Sequence, residues 1–317
     1  MALPPPPEDA AHDAVVSALL ALDPDGARIG SVLRNTIDQL YDGQRTGRYC
    51  WEQLHKTEKT HCGTLVEINL HRAFKFGDGI ELDYEIVGND VDCKYSQTLG
   101  GWMIPPEAHG KLCLLVWAND QQCEWNIGLV RAHRELLGRP NRDGKRTLNP
   151  DGRLSIHWIY LPWQNKSTST LGDLRHLELQ PNILLKLPKL TLDGIMRLQY
   201  GTQRLNELFR VAVEMRVGRG VVATVAQQDD YMKRVRENGG SRTALRPEGI
   251  IILGQFGSHV AIANDLGVVS PRAGEFVSVR VCQATLADQR VATIENKIWR
   301  KATLEDRVVP APKLPSK

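Results

Sequence analysis

Paired cysteines, long apolar runs and a signal segment are all missing from this chain of 317 residues. Its six cysteines are scattered and include no C-x-x-C pair. That argues against a structural zinc site and a disulfide scaffold, and makes a reducing, cytoplasmic setting the expectation. No apolar stretch approaches the ~20 residues of a membrane span; Gly249 to Leu253 is strand-sized, so no membrane partner is expected. The start, Met1-Ala2-Leu3, four prolines, then Glu8-Asp9, has no basic n-region or apolar h-region and does not read as a secretory signal. There is no internal repeat, and low complexity is confined to the N-terminal prolines and to Pro310–Lys317. The nine histidines, His259 among them, show no pairing at metal-binding spacing and read as packing or surface residues.

What is present is ordinary globular composition, 42% hydrophobic and 24% charged, which excludes wholesale disorder and fibrous classes. The length is a prior for about two domains of roughly 150 residues. Charge divides the chain. Residues 1–163 carry 17 basic and 22 acidic residues, a balance of −5, whereas residues 164–317 carry 23 and 15, a balance of +8. A basic half suggests a polyanion as partner, although a solvated basic surface has the same signature. The charge changes at the polar stretch Gln164 to Thr170, whose composition is that of a linker. The expected organisation is therefore a domain over 1–163, a linker over 164–170 and a second domain over 171–317.

Upstream of that stretch, three- and four-residue apolar spacing predicts helices over Glu8–Leu22, Arg28–Tyr41 and Thr60–Phe76. The last has Leu65, Val66, Ile68, Leu70 and Ala73 on its inner face. Alternation then predicts strands over Ile80–Val87 and Val91–Tyr95, with more continuously apolar, central strands over Leu112–Trp117 and Trp125–Val130 and another over Leu154–Leu161. Helices flanking a mixed sheet make the first domain α/β. Downstream, helices are expected over Thr191–Val217 and, with Thr224 as N-cap, Thr224–Asn238, and strands over Glu275–Ala284 and Arg290–Ile298. Ile250–Phe256 reads as a wing, and Ala261–Val268 as a helix-turn-helix core or a strand and turn. The second domain is thus mostly helical and winged-helix-like, with a small sheet. Its candidate DNA contacts are Lys233, Arg234, Arg236, Arg242 and Arg246.

One constellation carries chemistry. With Gly88-Asn89 as a two-residue turn, Val87 pairs with Asp90, Glu85 with Asp92 and Asp83 with Lys94. Opposed residues share a face and strand side chains alternate. Asp83, Glu85, Asp92 and Lys94 therefore lie on one face, with Val91, Cys93, Tyr95, Leu82, Tyr84 and Ile86 on the other. Clustered carboxylates repel unless a cation joins them, and two carboxylates with waters are the usual hold on magnesium. A lysine beside that cation orients or deprotonates water, or meets charge building on a phosphate. A surface hairpin with an ordinary salt bridge is the plainer alternative.

Two other acidic-x-Lys triplets, Asp143-Gly144-Lys145 and Glu295-Asn296-Lys297, lack this setting. Only Asp92-Cys93-Lys94 has a hairpin, an upstream Asp83 and a preceding helix carrying Glu67. At these residues the chain resembles restriction endonucleases of the PD-(D/E)xK nuclease superfamily, with Leu82 where a proline often precedes the first aspartate. Helix, hairpin, linker and basic C-terminal half further resemble, over essentially the whole chain, a type IIE restriction endonuclease. That resemblance implies a homodimeric bacterial enzyme that needs Mg2+ and cuts double-stranded DNA at the palindrome GCCGGC to blunt ends. It also implies that the C-terminal domain binds a second DNA copy. In that reading Asp83, Asp92 and the Cys93 backbone carbonyl hold the metal, Lys94 serves the attacking water and Glu67 orients a ligand or water.

Leu40-Tyr41-Asp42-Gly43-Gln44-Arg45 looks like the Lys-x-Asp-Gly-x-Arg signature of DNA ligases, with leucine in place of the nucleophilic lysine. Leucine has no lone pair to take a nucleotide, so ligase activity and a nucleotide cofactor are rejected. A helix ending at Tyr41 explains the segment. The rival functions are a non-catalytic DNA-binding regulator and a tyrosine-dependent, topoisomerase-like strand-transfer enzyme using Tyr200 or Tyr231.

Overall fold

A computed structural model describes residues 9–160, 176–236, 239–285 and 287–315. Gln164–Thr170, expected as a linker, lies outside the described residues. By its contacts the chain forms two units, Met1–Leu40 with Leu54–Gln180, and Tyr41–Gln53 with Pro181–Lys317. The ligase-like segment thus leaves the N-terminal half to join the second unit, an excursion that a linear division of the sequence does not contain. Among the described residues no helix is long and apolar enough to cross a membrane.

The first unit has helices α1 (Ala10–Leu22) and α2 (Ala27–Tyr41). The chain then passes through α3 (Gly43–Thr46) in the other unit and returns in α4 (Lys56–Phe74). In α2, Ile29, Leu33, Ile37 and Leu40 are buried along one stripe, and the buried Arg34 on the same helix pairs with Asp120 and, at 2.7 Å, with Asp38. The buried seam of α4 is Cys62, Val66, Leu70 and Phe74, a strict four-residue spacing. Ile68, expected on its inner face, is exposed.

The sheet runs in the order β1 (Gly77–Asp78), β2 (Tyr84–Ile86), β3 (Asn89–Ser96), β4 (Leu112–Asn119), β5 (Glu124–Arg131), β6 (His157–Trp158), with β7 (Leu177–Glu178) also on β5. The β3–β4 pair is parallel and the others are antiparallel, so the sheet is mixed. Of β4, only Asn119 is not fully buried, as a central strand requires. Two strand expectations shrink. Ile80–Asp83 is loop, because β2 starts only at Tyr84, and Leu154 ends the helix α5 (Pro150–Leu154), before the two-residue β6.

In the second unit, α6 (Lys189–Arg197) and α7 (Thr202–Val211) replace one expected helix. The break falls at Gly201, whose φ of 86° lies outside the helical region. Similarly, α8 (Arg219–Ala226) and α9 (Tyr231–Val235) are separated by Gln227 in the left-handed region. Thr224, expected as an N-cap, sits inside α8, where its hydroxyl donates to the Gly220 carbonyl at 2.8 Å. The short strand β8 (Val217–Gly218) leads directly into α8, and after α9 the chain continues through α10 (Ser241–Ala244), β9 (Ile250–Leu253), α11 (Gly257–Asp265), β10 (Glu275–Gln283), β11 (Val291–Ile294) and β12 (Lys297–Lys301). Strand order is β11-β12-β10-β8, with β9 also on β10. Ala261–Val268 is therefore mainly helix, and Arg290–Ile298 is two strands joined at Glu295-Asn296, both with positive φ.

Candidate active site

The turn of the β2–β3 hairpin is Val87-Gly88, with φ of 46° and 76°, one residue earlier than Gly88-Asn89. The register is Ile86↔Asn89, Glu85↔Asp90 and Tyr84↔Val91. Within the strands the expected pairing is displaced by two residues, and the expected Asp83–Lys94 pair is not part of the ladder, because Asp83 precedes β2. Because side chains alternate with period two, that displacement changes partners and leaves the strand residues of β2 and β3 on their predicted faces. Leu82, expected on the face of Val91, Cys93 and Tyr95, lies in the preceding loop and packs instead with the cluster of Cys113, Leu115 and Trp117, the register partners of Asp92, Lys94 and Ser96. Glu85 now faces Asp90 rather than Asp92 and is exposed.

Asp83 ends the loop between β1 and β2, and its Oδ2 accepts the Cys93 backbone N–H at 2.7 Å. That bond ties the loop to β3 beside the triplet. The Lys94 ammonium donates to Asp92 Oδ1 at 2.7 Å, to the Cys93 carbonyl at 3.0 Å and to Asp83 Oδ2 at 3.4 Å. One cation thus touches all three oxygens singled out as metal ligands. Asp92 is only 3% exposed, and its other oxygen, Oδ2, is buried without a hydrogen-bond partner.

These positions set the charges. Burial raises the pKa of Asp92, opposed by Lys94 and reinforced by Asp83. Burial alone would lower the pKa of Lys94, but the Asp92 and Asp83 carboxylates together outweigh it and raise it. The neighbouring carboxylates thus favour the charged form of Lys94, the form that donates to all three oxygens. Glu67, on α4, is half-buried, and loss of solvent followed by the Asp83 charge raises its pKa. The Tyr84 hydroxyl donates to the Glu67 backbone carbonyl at 2.8 Å, fixing α4 over the hairpin.

Glu67 and Asp83 line one cleft of about 300 Å³ with Ile68, His71, Arg72, Asp78 and Tyr84. His71 and Arg72 were not foreseen. The signal for His71 was its four-residue spacing from Glu67, which puts both on one helix face; its Nε2 lies 3.2 Å from Asp78 Oδ1. Among the described residues no group of three or more His, Cys, Asp and Glu side chains is arranged to hold a metal. Two carboxylates and a carbonyl, completed by water, remain a sufficient set for magnesium, and the unpartnered Asp92 Oδ2 is an acceptor that fits one.

The rival triplets stand apart from this arrangement. Asp143 and Lys145 lie in a turn organised by Asn141 Oδ1, which accepts both their N–H groups. Glu295 is in the β11–β12 turn, and its carboxylate accepts the Lys313 N–H at 3.0 Å.

In the second unit, Lys233 and Arg236 are exposed, and Arg234 pairs with Asp230 at 2.8 Å. Arg242 and Arg246 are half-buried, their Nε groups donating to the carbonyls of Ile252 and Ala311. Together with Lys313 they line a separate cavity of about 210 Å³. Tyr200 is exposed beneath the Arg204 guanidinium, 4.1 Å from its ring centre, and Tyr231 packs against the core. His259 is buried, its Nδ1 accepting the Gly254 N–H at 3.0 Å, which is the packing role expected of it.

A family profile described as restriction endonuclease NaeI matches residues 13–310, a span holding the hairpin, Glu67 and most of both units. The chain belongs to the NaeI restriction endonuclease family. The Type II restriction enzyme NaeI of Lentzea aerocolonigenes is 52% identical over 310 residues, covering 96% of this chain and 94% of that relative. Membership in the NaeI family makes the chain a DNA-binding endonuclease of a restriction system, a hydrolase acting on double-stranded DNA. A purely regulatory DNA-binding role is thereby set aside. Restriction endonucleases of this type generally use a divalent metal, which suits the two-carboxylate cluster in this member of the NaeI family.

Proposed function

We propose that Asp83, Asp92 and Lys94, assisted by Glu67, form the catalytic centre of a magnesium-dependent type II endonuclease. The observation that carries this reading is the Lys94 ammonium bound to three oxygens of one cluster, beside a buried carboxylate oxygen with no partner. Asp83, Asp92 and the Cys93 carbonyl would hold the cation. A bound magnesium ion supplies positive charge next to the scissile phosphate and lowers the pKa of water. Lys94, released from part of its carboxylate contact, directs its ammonium hydrogens at the attacking water or at the phosphate oxygen on which charge builds. Glu67 faces the same cleft and orients a ligand or water.

The remaining features follow the type IIE resemblance. A two-fold homodimer places one such centre on each strand, which matches a palindromic target; the target is GCCGGC, cut to blunt ends. The basic second unit takes a second DNA copy as effector. Exposed Lys233 and Arg236 are suited to phosphate, whereas Arg242 and Arg246 also brace the backbone. Cytoplasmic residence in a bacterium accords with the lack of paired cysteines. Supercoiled plasmid incubated with magnesium or with a chelator tests the core of the reading. Linear product in magnesium alone is expected, and relaxed circles or uncut plasmid in magnesium would overturn it.

A further inference from the structure

The loop from β1 to β2 is built to hold one apolar side chain outside the protein. Gly79 starts it, and a Cβ there would stand 2.3 Å from the Leu82 carbonyl oxygen, so the turn needs glycine. The Asp90 carboxylate then brackets the loop, Oδ1 accepting the Ile80 N–H at 2.8 Å and Oδ2 the Glu81 N–H at 3.0 Å. The Glu81 carboxylate lies 3.0 Å from Lys111. Leu82 turns inward and packs against the cluster containing Trp102 and Trp117. Asp83 closes the loop on the Cys93 N–H. Between these anchors Ile80 is 91% exposed.

Single exposed apolar residues are ordinary on protein surfaces. Ile80 differs in being displayed by an ordered loop, three residues from a catalytic carboxylate. Three residues of chain span at most ~10 Å, so a duplex with its phosphate at Asp83 brings a groove edge within reach of Ile80; the minor groove itself is ~6 Å wide. We propose that the Gly79–Leu82 loop is a DNA-contacting finger and that Ile80 packs against bases or sugars of the substrate duplex beside the cleaved phosphate. Apolar side chains serve there as contacts to base edges or as wedges between base steps. This inference rests on the endonuclease reading above.

The test uses the full chain and a duplex carrying the cut site mapped on plasmid DNA. Ile80→Ala and Ile80→Asn should raise Kd and KM for that duplex about tenfold, the scale expected for losing one buried aliphatic side chain. Melting temperature and native mass should not change, because Ile80 makes no core contact. Asp90→Ala, which keeps Ile80 but releases its loop, should weaken binding in the same direction. Wild-type Kd and KM in the Ile80 variants, while the parent protein cuts, would overturn the finger alone. An Ile80 variant with altered native mass would also overturn it, assigning the side chain to a subunit contact. A parent protein that fails to cut would instead overturn the endonuclease reading.

Discussion

Lys94 Nζ lies 2.7 Å from Asp92 Oδ1, while Asp92 Oδ2, in the same buried carboxylate, has no hydrogen-bond partner. The pair is half complete: the ammonium satisfies one oxygen, and the other faces a protein interior that normally leaves no acceptor unmatched. An additional donor or cation is what this geometry admits.

Removing either member should therefore separate chemistry from binding. Lys94→Ala and Asp92→Ala are expected to lower the cleavage rate by at least ~10²-fold, the scale of losing one preorganised charge-stabilising donor. Duplex affinity should largely survive, because it comes from phosphate and base contacts elsewhere. Single-turnover cleavage beside a filter-binding isotherm measures both. Lys145→Ala and Lys297→Ala, in the other two triplets, should cut at near parental rate. A Lys94→Ala protein as fast as the parent would remove this cluster from the mechanism.

The Tyr41–Gln53 excursion should be sensitive to a single methyl group. A Cβ on Gly43 would stand 2.1 Å from Thr224 Oγ1 and 2.7 Å from the Arg48 carbonyl oxygen. Gly43→Ala is expected to destabilise the protein by ~1–3 kcal/mol through overpacking. Adding Thr224→Ala should return part of the loss and no more, because the Arg48 backbone remains. Denaturant melts of the two single variants and the double variant give the coupling.

Acid should expose the anchor of α1. Arg131 holds Asp9 by a hydrogen bond of 2.8 Å and lowers its pKa to about 2. A carboxylate with a depressed folded pKa stabilises the fold above its unfolded value near 3.8, and that contribution disappears as pH falls toward 2. Asp9→Asn retains an acceptor for the His12 N–H, its capping bond at 3.1 Å, and removes the charge. The parent should exceed this variant by ~1–2 kcal/mol at pH 7 after allowance for solvent screening. The two should converge near pH 2. A difference independent of pH would show that the ion pair is not its source.

On the effector proposal, a plasmid with one recognition site should be cut slowly, and a short duplex bearing the site should accelerate it in trans. Coupling of this kind is typically ~1–3 kcal/mol, or roughly 5–150-fold in affinity, and is reciprocal. A duplex that inhibits at every concentration would make the second unit a tether contributing avidity alone.

Most of the composition of the acidic face was already in the sequence, because strand periodicity is local. Alternation assigns each residue of β2 and β3 to a face, and the true register, displaced by two residues, preserves that assignment. Leu82 and Asp83, by contrast, lie in the loop before β2, where alternation does not reach and Leu82 takes the opposite face. The end of α2 at Tyr41 and the buried character of β4 were equally legible from spacing and apolar content. Partner choice and burial were not. The parallel pairing of β3 with β4, the burial of Asp92 and the reach of Glu67 into the Asp83 cleft depend on residues far apart in the chain. The break at Gly201 falls on a poor helix former, whereas the one at Gln227 interrupts a continuous helical pattern where tertiary packing overrides propensity. The passage of Tyr41–Gln53 into the second unit has no local signature, since its reason is the close seat of Gly43 against Thr224 in α8, 181 positions further along the chain.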